Sequence, residues 1–227
     1  MNFLKKLFNV LFFIVISIYR PFYHLGYRFY LTCLCFTLYC RFPRLTLLDS
    51  LYIIEEAFRF FLLPIRLIIG LFLPKHRYRP VYGTISFAGI NQLATVLPID
   101  HYRVCDIGSG KGKLLFFLSI VYKCNCIGIE SYRPYTFIHR CFSFLLGSSR
   151  RVRLIHDTIM HRPLPHADVY FILGLGFEPE TLAYVQDQLK LLVKTRIVIS
   201  VGVLFPSLAD YHKDTLSIPC SWGYCDT

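Results

Sequence analysis

The run Asp106-Ile107-Gly108-Ser109-Gly110-Lys111-Gly112-Lys113 sets an acid ahead of three glycines at alternate positions. That spacing suits a strand-to-helix turn, because glycine permits a sharp bend and lets a ligand approach the backbone closely. A Walker loop needs G-x-x-x-x-G-K-[ST], yet Ile107 stands at its first glycine and Leu114 at its hydroxyl, so no cradle for phosphate and magnesium is expected. The dinucleotide fingerprint G-x-G-x-x-G fails at Lys113. What remains is D-x-G-x-G-x-G. Glu130 follows 24 residues after Asp106, at the carboxyl end of the next expected strand, where an acid can accept both hydroxyls of a ribose.

The elements that must position these residues alternate between short apolar runs and helical ones. Strands are expected at Arg103–Ile107, Cys126–Ile129, Arg153–Ile155, Val169–Leu173 and Ile197–Val201, with helices over Lys111–Tyr122, Pro134–Leu146 and Pro179–Val193. Repeated βα units imply a parallel sheet of the open, doubly wound α/β class. Asp168 opens the fourth strand and reads as structural. Glu178-Pro179-Glu180 reads as a helix start, with proline in the first turn and acids near the positive end of the dipole.

D-x-G-x-G-x-G at Asp106–Gly112, followed by strand and acid in Ile127-Gly128-Ile129-Glu130, resembles the first motifs of class I S-adenosylmethionine-dependent methyltransferases. The resemblance implies a Rossmann-like domain with S-adenosyl-L-methionine as cofactor. Asp106, Gly108, Ser109, Gly110 and Gly112 would surround its amino-acid end and Glu130 would hold its ribose. Asp157, after the third strand, would accept from the adenine amino group, its alternative being a turn-forming loop acid. Residues 81–227 are further similar to small membrane-associated protein lysine methyltransferases related to the ATP synthase c-subunit methyltransferase. The matching stretches are Pro80-Val81-Tyr82-Gly83, the glycine turn, the second strand and Trp222-Gly223-Tyr224-Cys225-Asp226. Lys111 departs from the Asp usual there, and Leu173-Gly174-Leu175-Gly176-Phe177 has no counterpart in the pattern. Tyr82, Phe177, Trp222 and Tyr224 are the candidates for an aromatic acceptor channel, since their segments should border the crevice at the strand ends.

The whole chain has 227 residues, 55% apolar and 17% charged, which excludes a disordered protein, and a formal charge of +11, which suggests an anionic neighbour. Residues 1–80 hold 11 Lys/Arg against 3 acids, and residues 81–227 hold 14 against 11. The basic excess therefore sits in a front section rich in Phe, Tyr and Leu, a mixture that suits a lipid interface better than a nucleic-acid groove. Three apolar segments succeed one another there, Leu7–Tyr19, Phe29–Cys40 and Leu45–Leu73. The first two fall short of the roughly 20 residues a spanning helix needs. The third carries a broken polar stripe, with Glu55 and Arg59 spaced for an i,i+4 pair and Pro64 placed to kink it. The first resembles an export signal without a cleavage site, so its removal is not expected.

The expected organisation is a helical membrane anchor over 1–73, a linker over 74–80 and a methyltransferase domain over 81–227, the last facing the cytoplasm or an equivalent reducing compartment. The expected partners are a lipid surface and a membrane protein offering a lysine; a lipid or isoprenoid-like acceptor and a non-catalytic membrane adaptor are the alternatives. Nine cysteines, an odd number without C-x-x-C pairs, imply reduced thiols, with Cys33, Cys35, Cys40, Cys105 and Cys126 read as buried; neither they nor the eight histidines have metal-ligand spacing.

Overall fold

A computed structural model describes residues 26–61, 83–97, 100–192, 197–203, 205, 214–220 and 223–227. The chain divides into two compact units, Met1–Thr37 and Leu38–Thr227. In the first unit, described from residue 26, residues 26–34 are helical, and the Thr32 hydroxyl donates back to the Arg28 carbonyl one turn earlier. The expected segment Leu7–Tyr19 and the linker over 74–80 lie outside the described residues. Among the described residues no helix is long and apolar enough to cross a membrane.

The second unit is built on five parallel strands, β1 (Arg103–Ile107), β2 (Asn125–Glu130), β3 (Val152–His156), β4 (Val169–Leu173) and β5 (Ile197–Val201). Their order in space, β3-β2-β1-β4-β5, reverses direction next to β1, which is the switch point where open α/β sheets bind ligands beyond the strand carboxyl ends. The register sets Asp106 beside Gly128 on one flank and Phe171 on the other. Near-continuous apolar composition explains the strands: Val104, Cys105 and Ile107 are fully buried between helices on both faces. At the opposite end, Asp168 accepts from the Arg103 amide at 2.9 Å and its own amide donates to the Arg103 carbonyl at 2.8 Å, so β1 and β4 start in step. Asp168 is structural, as expected.

The helices are α1 (Phe36–Arg41), α2 (Pro43–Phe61), α3 (Phe87–Val96), α4 (Lys113–Val121), α5 (Arg133–Leu145) and α6 (Pro179–Leu191); the last three match the expected ones within a few residues, and α3 was not foreseen. Glu178 is the N-cap residue of α6 and Pro179 its first residue, which fits the helix-start reading. A separate antiparallel hairpin, β6 (Ser217–Cys220) and β7 (Gly223–Asp226), closes the chain against α3: Ser86 both caps α3, accepting from the Gly89 amide at 3.0 Å, and donates its hydroxyl to the Pro219 carbonyl at 2.6 Å.

Two features depart from the sequence reading. Helix α2, placed by sequence in the membrane anchor, belongs to the same compact unit as the sheet: Leu45, Leu48 and Tyr52, spaced i, i+3 and i+7, are buried, and the Tyr52 ring meets Phe142 of α5 edge to face at 5.0 Å. A continuous apolar face on a helix is satisfied by protein as well as by lipid, which is why composition alone assigned it to the bilayer. Secondly, Cys33 and Cys40 are exposed, whereas Cys35, Cys105 and Cys126 are buried; all nine cysteines are free thiols, and burial pushes Cys126 well above its ordinary value.

His139 of α5 is 1% exposed, and neither ring nitrogen has a hydrogen-bond partner among the described residues. Burial first, and the neighbouring Arg140 charge second, push its imidazole down to about 4. A histidine depressed in the folded state contributes stability that is present above its unfolded value of about 6.5 and is lost as pH falls towards 4. His139→Leu should therefore unfold at lower pH than the parent in an acid titration followed by circular dichroism; coincident titrations would show that this imidazole is not buried neutral.

Candidate functional site

The glycine turn after β1 is fixed by backbone bonds before any side chain contributes. The Gly108 and Ser109 amides both donate to the Ile129 carbonyl, at 2.9 and 3.0 Å, and the Gly112 amide closes back on the Ser109 carbonyl at 2.9 Å. Gly108, Gly110 and Gly112 all have positive φ, of 77°, 55° and 83°, which side-chain-bearing residues rarely adopt. At Gly108 the requirement is doubled, since a Cβ there would lie 2.7 Å from the Phe177 ring. Gly112 is the N-cap of α4, and a Cβ on it would run into His139. Thus α4 begins at Lys113, two residues later than the sequence suggested, because the turn consumes Lys111 and Gly112.

Below the turn lies a cavity of about 190 Å³. Of the expected cofactor residues, Asp106, Gly108, Ser109, Gly110, Glu130 and Asp157 line it, and so does Phe177. Glu130 is tied to the turn: one oxygen accepts from the Gly110 amide at 2.8 Å and the other from the Tyr132 amide at 2.7 Å. A carboxylate has about four acceptor positions, so these bonds orient Glu130 and leave lone pairs for a ligand diol. Burial pushes its carboxyl up, partly offset by those amide bonds. Asp106 is 7% exposed; burial first and the Glu130 charge second raise it from 3.8 to about 7. Its contribution to folding is therefore full below about pH 3.8 and is lost as pH rises through 7.

Other expected residues sit differently. Gly112 faces His139 behind the turn and does not line the cavity, so its part is to start α4. The Ser109 hydroxyl is buried over Gly128 with no hydrogen-bond partner among the described residues. Asp157 is occupied, accepting from the Thr158 amide at 2.8 Å, bonding His161 at 3.3 Å and pairing with Arg162 at 2.9 Å. Desolvation acts upward on it, but these bonds outweigh that and hold its carboxyl below the usual range. That is the behaviour of the turn-forming alternative. Tyr224 lies on β7, 57% exposed and away from the cavity lining; Tyr82 and Trp222 lie outside the described residues. No cluster of ligands for a metal occurs among the described residues.

Several lining residues escaped the sequence reading, notably Thr84, Lys113, Tyr132, Tyr135 and Ile159. Tyr132 lies in the short loop after Glu130 and Tyr135 in the first turn of α5, and the connection after a strand at the switch point is where lining residues belong, so their position was the available signal. Lys111, the departure from the family pattern, turns out of the cavity. It is 1% exposed, its ammonium pairs with Glu55 of α2, and its carbonyl accepts from the Tyr52 hydroxyl at 3.1 Å. The front-end helix thereby grips the glycine turn from behind. The Glu55 carboxylate is thus engaged across the fold with Lys111; the side chain of Arg59, its expected i,i+4 partner, lies outside what the structure describes.

No family model and no curated relative matches the chain. Among solved structures it is similar to an RNA methyltransferase from Salinibacter ruber in complex with S-adenosyl-L-homocysteine, at 15% identity over 60% of this chain and 86% of that one, TM-score 0.47. It is likewise similar to a precorrin-6Y C5,15-methyltransferase from Geobacter metallireducens (17%, 63% and 81%, TM-score 0.48). A third likeness is to an S-adenosylmethionine-dependent methyltransferase from Geobacter sulfurreducens in complex with S-adenosyl-L-homocysteine (20%, 56% and 51%, TM-score 0.44). At these identities and scores the chemistry of the site rests on the cavity's own residues.

Breaking the buried pair behind the turn should cost about 3–5 kcal/mol in Lys111→Met, because the Glu55 carboxylate loses the Lys111 ammonium in low dielectric. Removing both partners in Lys111→Met/Glu55→Met should restore most of that loss. Denaturant melts of the two variants check this; a double variant no more stable than the single would show that the pair is not coupled.

Proposed function

We propose that the chain is an S-adenosylmethionine-dependent methyltransferase held at a membrane, and that it methylates a lysine of a membrane-protein partner. The observation that carries the cofactor is a pair of acids at one edge of the cavity. Asp106 and Glu130, at the carboxyl ends of β1 and β2, line it, whereas Asp157 is already paired with Arg162. That lining offers acceptors where a phosphate would need donors. It favours a nucleoside that bears positive charge and a free diol, as a sulfonium nucleoside with an amino-acid tail does.

Glu130 would hold the ribose hydroxyls, its two amide donors keeping the carboxylate aimed into the cavity. Asp106 would accept from the ammonium of the amino-acid end, with the bare glycine backbone leaving space for the chain between. Ile159, 5% exposed and lining the cavity, supplies an apolar wall for the base. Once bound, the cofactor supplies an activated methyl group with a neutral leaving group. The protein's remaining work is alignment and exclusion of water. Phe177, Tyr132 and Tyr135 disfavour the charged form of an entering amine, whose ordinary value is about 10.4, and so help it lose its proton. No triad is needed.

Membrane association is supported by the front-end charge and by α2. Opposite its buried face that helix leaves Leu47, Ile54 and Phe58 exposed, so it has one apolar side for the sheet unit and one for another apolar medium. A lysine in a membrane protein is the acceptor that such an attachment brings within reach at high effective concentration.

Two measurements test this. A cation bound beside Asp106 favours its carboxylate, so binding of S-adenosyl-L-homocysteine, which keeps the amino-acid ammonium, should release close to one proton at pH 6 and almost none above pH 8. Calorimetry in buffers of different ionisation heat reads that release. Asp106→Asn should abolish it and weaken binding at least tenfold, as should Glu130→Gln for affinity; unchanged affinity in both variants refutes the cofactor site. Incubating native membranes with methyl-labelled cofactor should put label on protein. Label in the lipid fraction would assign the acceptor to lipid, and no label in any fraction would favour an adaptor without turnover.

A further inference from the structure

Helix α5 carries a surface that neither the cavity nor the core uses. Its buried residues, Tyr135, Thr136, His139 and Phe142, face the sheet. On the opposite side Arg133, Phe137, Arg140 and Phe144 fall within an arc of about 60° at 3.6 residues per turn, and all four are exposed. The two phenylalanine side chains are 69% and 84% exposed, and Leu145 beside them 56%. Between Ser131 and His156 the sequence holds five arginines, at 133, 140, 150, 151 and 153, and no acid. Alternating aromatic and guanidinium groups along about 17 Å of one helix face make a surface that is apolar and cationic together.

We infer that this α5 face is a second membrane contact, made by the methyltransferase unit itself and distinct from the front section: Phe137 and Phe144 enter the interface of an anionic bilayer, while Arg133, Arg140 and Arg150 meet lipid phosphates. Charge complementarity selects an anionic surface. Exposed aliphatic side chains on α2, the helix packed on α5 through Tyr52 and Phe142, select lipid over single-stranded nucleic acid, since Leu47, Ile54 and Phe58 there need an apolar medium and leucine and isoleucine offer no ring for base stacking. Tyr132, the residue before α5, lines the cavity, so this contact sets the mouth of the cavity close to the lipid headgroups. That last consequence rests on reading the cavity as the methyl-donor site; the contact itself does not.

The test uses the full chain carrying Phe144→Trp in a Trp222→Phe background, with vesicles of phosphatidylcholine and phosphatidylglycerol whose acyl chains are brominated near the headgroup. The inference expects blue-shifted emission, quenched severalfold by the brominated lipid. It expects that quenching to fall at least threefold in 0.5 M salt, with phosphatidylcholine alone, or in Arg133→Gln/Arg140→Gln. Water-like, unquenched emission from vesicle-bound chain would overturn it, because the front section would then be the sole attachment. So would emission already shielded without lipid, which would mean that the face is covered by the chain or by a second copy. Unquenched emission together with arginine variants that lose binding to a single-stranded oligonucleotide would overturn it in favour of nucleic acid. Calorimetry with S-adenosyl-L-homocysteine on the same preparation separates failure of this contact from failure of the cofactor site.

Discussion

Two carboxyl groups buried in one cavity are the constraint on which the rest of this structure turns. Asp106 ends the polar content of β1 and Glu130 ends β2, and the parallel register of those strands brings both acids to the same edge of the sheet. Neither can be fully ionised at low cost without compensation, and the fold supplies compensation unequally. Glu130 receives two amide donors, whereas Asp106 is left to burial and its neighbour's charge, which raise it to about 7. An unequal pair of this kind is stored selectivity: it gains most from a ligand that brings a cation to one acid and hydroxyls to the other.

The glycine turn is what keeps that space open, and it is held from three directions. Phe177 rests against Gly108 from the β4 side, His139 backs Gly112 from α5, and α2 grips Lys111 through Glu55 and Tyr52. The turn's geometry thus depends on residues between 52 and 177. Its coupling gives α2 a structural role: the helix with an exposed apolar face is also the one behind the glycine turn.

Much of this was legible in the sequence, for a physical reason. Parallel strands buried on both faces read as short apolar runs, so β1, β4 and β5 are bounded as expected, and β2 and β3 differ by a residue at their ends. D-x-G-x-G with its downstream acid survives in one dimension because the turn and the strand end are local. What did not survive is long-range. Nothing in the run around Glu55 shows that its partner is 56 residues away, and an apolar stripe does not state whether protein or lipid will cover it. Asp157 looked like a ligand group by its place after β3, yet His161 and Arg162, four and five residues on, claim it; Tyr224 looked like a channel residue by its motif, yet β7 pairs with β6 apart from the sheet.

The claim that two unequal acids define this site is tested most directly by the titration of Asp106 itself. Carbon NMR of the chain labelled at its aspartate carboxyls, with Asp106→Asn to assign the signal, should show one carboxyl titrating near pH 7 in the free protein and moving to a clearly lower value when S-adenosyl-L-homocysteine is bound. A carboxyl that titrates near pH 4 in both states would contradict the account.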